Sequence, residues 1–177
     1  MSRDFPDWIS PVRAAEGKRI FSGTIPLQRM KRLAPLLVSA EGDAAFTATF
    51  KRDIENRVVI VLQVEADLPL ICQASLEVYD EKVQRRSELA VIDEDGRIDD
   101  VPDYYDVVSS EHGRVAIAAL VEEELLLSLP QIPRKPGLAD IEFSTGGLPI
   151  EKVAKQTEGK TNPFADLQNM LERKKQD

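Results

Sequence analysis

From Ala44 to Ile92 the chain alternates apolar and polar residues over successive short stretches, and this period of two constrains its fold more than any other feature. Ala44, Phe46, Ala48 and Phe50 alternate with Ala45, Thr47, Thr49 and Lys51, as a strand with one buried face requires. The turn-like stretch Asp53 to Arg57 leads into VVIVLQVEA, a β-branched run suited to a central strand, so the two together predict a hairpin. Leu70, Cys72, Ala74, Leu76 and Val78 alternate with Gln73, Ser75 and Glu77 and predict a third strand. Val83 to Ile92 is a less regular fourth. Parallel pairing needs crossover connections that the spacing of these strands does not provide. The expected fold class is therefore α+β, with an antiparallel sheet able to curl toward a barrel.

The flanking segments supply what covers such a sheet. Arg19 to Ile25 reads as a short strand, weakened or bulged at Gly23. Leu27, Met30, Leu33 and Leu37 then recur at helical spacing and predict a short amphipathic helix that Pro35 should end or kink, with Arg29, Lys31 and Arg32 on its basic side. Residues 93–112 read as a long acidic loop with one helical turn around Tyr104 to Val108. Val115 to Leu129 is the strongest helix, with Ile117, Leu120, Val121 and Leu125 on one stripe and Pro130 and Pro133 closing it, and it should lie on the sheet. Ile141 to Phe143 reads as a last edge strand, after which residues 144–161, rich in Gly, Thr, Lys and Glu, read as a linker. Asn162 and Pro163 then form a cap and first-turn pair, and Phe164, Leu167 and Leu171 line one face of a helix ending in Arg173, Lys174 and Lys175. The expected organisation is one α+β domain over residues 1–143, a linker over 144–161 and a tethered C-terminal docking helix over 162–177.

Charge is unevenly placed. Residues 1–37 hold seven basic residues against three acidic ones, whereas residues 93–124 hold eleven acids against Arg97 and Arg114, a net −9 out of a total of −8. An acidic patch on a nearly neutral body lacks the broad basic face of a duplex-wrapping protein. Acids and prolines in MSRDFPDWISPVR replace the apolar stretch of a signal peptide, and no run approaches bilayer-spanning length, which together predict a soluble cytosolic protein without membrane contact. Cys72 and His112 are the only residues of their kinds, so one chain can assemble neither an internal disulfide nor the usual Cys/His zinc site.

Several constellations invite a chemical reading. Asp93, Asp95, Gly96 and Ile98 reproduce the middle of a calcium loop, but that register puts Val91 at its first ligand position and Pro102 at its last, where acids are needed. The same acids could hold magnesium for RNA cleavage, although clustered catalytic carboxylates are usually carried on rigid elements rather than in consecutive loop positions. His112 has no serine, cysteine or aspartate near it in a triad pattern, and Cys72 falls on the apolar phase of its strand as a buried small residue would. Glu122, Glu123 and Glu124, being consecutive, fan over more than half the helix circumference, so at least one should touch protein. No catalytic, cofactor-binding or metal-binding set emerges.

Three stretches resemble one known family, the YceD or large ribosomal RNA subunit accumulation proteins. In GRVAIAALVEEELLLSLPQIP, residues Val121, Glu122, Glu124, Leu127, Leu129, Pro130 and Pro133 fall where that family has a V-E-x-E helix and an L-P-x-x-P ending. Asn162 to Leu171, NPFADLQNML, is similar to its terminal N-P-F-A-x-L motif, and Ser10-Pro11-Val12-Arg13 resembles its D-P-V-R start. Many members carry C-x-R-C where this chain reads Cys72-Gln73-Ala74-Ser75, so a thiol or metal role for that motif does not transfer. The resemblance implies a bacterial, cytoplasmic, non-catalytic factor in synthesis, processing or accumulation of large-subunit ribosomal RNA. Its expected partners are a ribosomal precursor, a ribosomal protein or the RNA itself, and its oligomeric state stays open. Asn162, Pro163, Phe164, Leu167 and Leu171 are the expected partner-binding residues, and Arg29, Arg32, Arg85 and Arg86 the candidates for weak RNA contact. The alternative is a metal-dependent RNA-processing enzyme using the acidic-loop carboxylates.

Overall fold

In a computed structural model of the chain, residues 5–93, 96 and 98–137 are described. The expected edge strand at 141–143, the linker at 144–161 and the helix at 162–177 lie outside them, as do residues 94, 95 and 97 of the acidic stretch compared above with a calcium loop.

Helix α1 (Pro11–Glu16) precedes strand β1 (Ile20–Pro26), and β2 (Asp43–Arg52), β3 (Val58–Ile71), β4 (Val78–Ile92), β5 (Asp106–Ser109) and helix α2 (Ile117–Ser128) follow. The five strands form one open sheet in sequence order, not closed into a barrel. The first four pair antiparallel, with Ala48 opposite Phe21 and Leu62, and Leu62 opposite Ser87. Beyond β4 the expectation of a wholly antiparallel sheet is corrected, because β5 pairs with β4 in parallel. The thirteen-residue segment between Ile92 and Asp106 is long enough for that crossover, and it replaces the helical turn expected at Tyr104 to Val108.

Two further expectations change. The apolar residues Leu27, Met30 and Leu33 are buried as predicted, but Leu27–Arg29 and Ala34–Leu36 are separate 3-10 turns rather than one amphipathic helix. Pro35 is the central residue of the second of these turns. The predicted third strand does not exist as such. Its first residues end β3, its last begins β4, and Cys72 to Glu77 form the turn between them, closed by Cys72 N–H to the Glu77 carbonyl at 2.9 Å and Leu76 N–H to the Cys72 carbonyl at 2.8 Å. Leu76 takes φ +59°, where glycine or asparagine is usual, so the sequence lacks the residue that would have announced the turn.

Alternation decides which face is buried. Phe46, Ala48 and Phe50 of β2, with Ile60, Leu62, Val64 and Leu68 of β3, lie inside, while Gln63, Glu65 and Asp67 face solvent. The N-terminal segment, α1, the 3-10 turns and α2 cover the inner face. Phe5 stands edge-on to Phe46 at 4.7 Å, and its ring occupies the space that a Cβ on Gly23 would approach to 3.0 Å, which is why β1 carries a glycine there. Helix α2 brings Ile117, Val121 and Leu125 to full burial, each worth about 1.5–3 kcal/mol. Pro69 is tolerated within β3 because β2 has already ended beside it, and its carbonyl accepts the Val38 N–H at 2.9 Å.

Candidate functional site

Helix α2 carries three consecutive glutamates that do different work. Glu124 is 3% exposed, and its Oε2 accepts hydrogen bonds from the Ser87 hydroxyl at 2.6 Å and from Arg85 Nε. Ser87 and Arg85 lie on the inner face of β4, so the carboxylate fixes the helix to the sheet. Glu122 Oε1 accepts the backbone N–H groups of Arg32 at 2.7 Å and Leu33 at 3.2 Å, satisfying donors in the segment between the two 3-10 turns. Glu123 pairs with the Arg32 guanidinium at 2.5 Å on the surface. Glu122 and Glu124 thus join α2 to two separate parts of the fold, as the fan of charge around the helix suggested.

This arrangement disperses the four arginines considered for RNA contact. Arg29 is exposed at the end of a 3-10 turn. Arg32 is engaged by Glu122 and Glu123, and Arg85 by Glu124. Arg86 points to the opposite face from Arg85, as neighbours on a strand must, and lies 3.7 Å from Glu88. The helix residues Val121 and Leu125 are core, Leu129 packs on both hydrophobic clusters, Leu127 is exposed, and the Pro133 carbonyl accepts the Gln73 N–H at 2.8 Å. Asn162, Pro163, Phe164, Leu167 and Leu171 lie outside the described residues.

The Pro133 contact places the segment after α2 against the turn that holds Cys72. The thiol is buried beside Leu70 and Tyr79, and Sγ accepts the backbone N–H groups of Ser75 and Lys135, each at 3.4 Å. The Lys135 N–H, followed by the Ser75 side chain, draws the Cys72 pKa down to about 6. A lowered value on a fully buried sulfur makes a stabilised but enclosed thiolate, not the accessible nucleophile that redox chemistry needs. Tyr79 is driven the other way, up to about 12, by burial and by donating to Glu81 at 2.9 Å. Among the described residues no three His, Cys, Asp or Glu side chains come together as a metal ion would require.

A second concentration of charge lies where α1 meets β1 and was not singled out by sequence reasoning. Lys18, Lys51, Arg52, Glu16, Thr49 and the exposed Ile20 line one open cleft of about 530 Å³. The only signal for it in the sequence is the basic excess of the first 37 residues.

The family model described as Large ribosomal RNA subunit accumulation protein YceD matches residues 60–171, from near the start of β3 to the last of the tail residues named above. A protein of Haemophilus influenzae called Large ribosomal RNA subunit accumulation protein YceD is 29% identical over 173 residues, covering 95% of this chain and 97% of that protein. No solved structure matches the chain.

Proposed function

The chain belongs to the YceD family of large ribosomal RNA subunit accumulation proteins, and from that premise we propose that it supports large-subunit ribosomal RNA by binding rather than by catalysis. The observation that carries this reading is the commitment of Glu122 and Glu124, in the stretch that most resembles the family, to holding α2 in place. A carboxylate already bonded to an arginine and a hydroxyl beneath a helix stabilises a surface; it does not exchange protons with a substrate. The surface and the tail are therefore where function acts. Residues 1–143 provide the body, 144–161 a tether, and 162–177 an amphipathic helix whose Phe164, Leu167 and Leu171 fill an apolar groove on a ribosomal precursor in the cytoplasm.

Purified full-length chain, incubated with precursor large-subunit RNA and magnesium, should leave the RNA length unchanged while associating with ribosomal precursors. Site-specific shortening that disappears on replacing Asp93 and Asp95 would establish the RNA-processing enzyme instead.

A further inference from the structure

The cleft between α1 and β2 has features that Arg32, Arg85 and Arg86, each beside an acid, do not share. Lys18 carries no ion pair among the described residues, and neither do Arg13 and Arg19 beside it. It also sits at φ +46°, a left-handed conformation uncommon for a lysine, directly after Gly17. A Cβ on Gly17 would lie 3.4 Å from Arg19 Cγ and 3.5 Å from the Arg13 carbonyl, so the corner draws α1 and the start of β1 close together. The Phe50 N–H donates to the Arg19 carbonyl at 2.9 Å and sets β2 alongside, which delivers Lys51 and Arg52 to the same cleft. Their own partners are acids, Glu88 at 3.0 Å from Lys51 and Glu16 at 3.6 Å from Arg52, and both pairs are partly exposed. Such pairs exchange readily for another anion.

We propose that this cleft seats the phosphodiester backbone of single-stranded RNA, with Lys18 and Lys51 as the phosphate contacts. The inference rests on the RNA-binding side of the function proposed above and goes beyond it by naming the surface. About 530 Å³ accommodates roughly one nucleotide, and Lys18, Lys51 and Arg52 supply its positive lining. Ile20, 63% exposed at the cleft wall, offers an apolar face to a base.

The test is fluorescence anisotropy of a short fluorescein-labelled single-stranded RNA of mixed sequence, titrated with full-length chain over a series of salt concentrations. Lys18→Gln and Lys51→Gln should each weaken binding several-fold and reduce the salt slope by about 0.7, the value for one phosphate contact to a single strand. Glu16→Gln should tighten binding, which a purely structural role would not produce, and Lys82→Gln on β4 should change nothing. Circular dichroism confirms that each variant is folded. An unchanged affinity and slope in the Lys18→Gln, Lys51→Gln double variant overturns the proposal. So does competition by polyglutamate equal to that of RNA, or by a mononucleotide at the same concentration. A chain that fails to bind the RNA but still associates with ribosomal precursors overturns this cleft while leaving the broader function standing, and failure of both removes the two together.

Discussion

The Ser87 hydroxyl and the Glu124 carboxylate meet at 2.6 Å beneath α2, and Arg85 donates to the same carboxylate oxygen. Helix and sheet are therefore joined by a buried polar contact as well as by the Ile117, Val121 and Leu125 stripe. Glu124→Ala leaves Ser87 and Arg85 without their acceptor, although the Arg85 side chain is 36% exposed and can turn to water. The expected loss is about 2 kcal/mol in urea unfolding, less than for a fully enclosed pair. Glu123→Ala removes only a surface contact and should leave the midpoint unchanged. Equal effects of the two substitutions would contradict the clamp.

Asp53 organises the turn from β2 to β3. Its Oδ1 accepts N–H groups of Glu55 at 2.9 Å and Arg57 at 2.8 Å, and its Oδ2 lies 3.0 Å from the Arg57 guanidinium. Burial raises the carboxyl pKa, but the Arg57 and Glu55 hydrogen bonds outweigh it and hold it below the ordinary 3.8. A depressed folded value contributes stability that is complete above the unfolded pKa and is lost as pH falls through the folded one. Asp53→Asn should thus cost about 1 kcal/mol at neutral pH, and the gap to wild type should close in strong acid. Melting at matched ionic strength across that range is the check.

For Cys72 the folded pKa is lowered from 9.0 to about 6, so its stabilisation is full above the unfolded value and fades as pH falls through about 6. The thermal midpoint of wild type relative to Cys72→Ser should therefore rise from pH 6 toward pH 9. A flat difference over that window would show that the Lys135 and Ser75 donors do not favour the thiolate.

The tail is tested by Phe164→Ala. If it anchors the docking helix, affinity for ribosomal precursors should fall by on the order of 2 kcal/mol, roughly thirtyfold, with the body's melting unchanged. Gln168→Ala is the control. Equal losses from both, or none from either, would remove the tail as a hydrophobic docking element.

Removing residues 156–177 should leave the body's thermal midpoint intact while abolishing function, because the predicted linker separates tail from core. A midpoint lowered by many degrees would make the tail part of the folded body.

Period two was readable wherever a strand had one wet face, which is why β2 and most of β3 could be placed from residues alone. It misled at Cys72 to Val78, where apolar alternation runs through a turn made without glycine. The parallel pairing of β5 was hidden for a different reason: Asp106–Ser109 is four residues long, and its partner strand is chosen by tertiary position. The helix glutamates were legible as a fan of charge, but their acceptor roles depend on Arg32 and Arg85, about 90 and 40 residues away in sequence, which no local pattern links. Lys51 and Arg52 read locally as the end of a strand, and only the fold carries them to Lys18.

Ile9 and Val115 exchange both backbone hydrogen bonds, at 2.9 and 2.8 Å, across more than a hundred residues. Synthesis is vectorial, so β1 to β4 leave the ribosome before Val115 and the helix that shields them. Until Ser128 has emerged, Phe46, Ile60 and Leu62 line a surface without its cover. The nascent chain must therefore traverse a sticky half-built stage in which its first and last core segments are not yet joined, and closure of that circuit is a late event in its biogenesis.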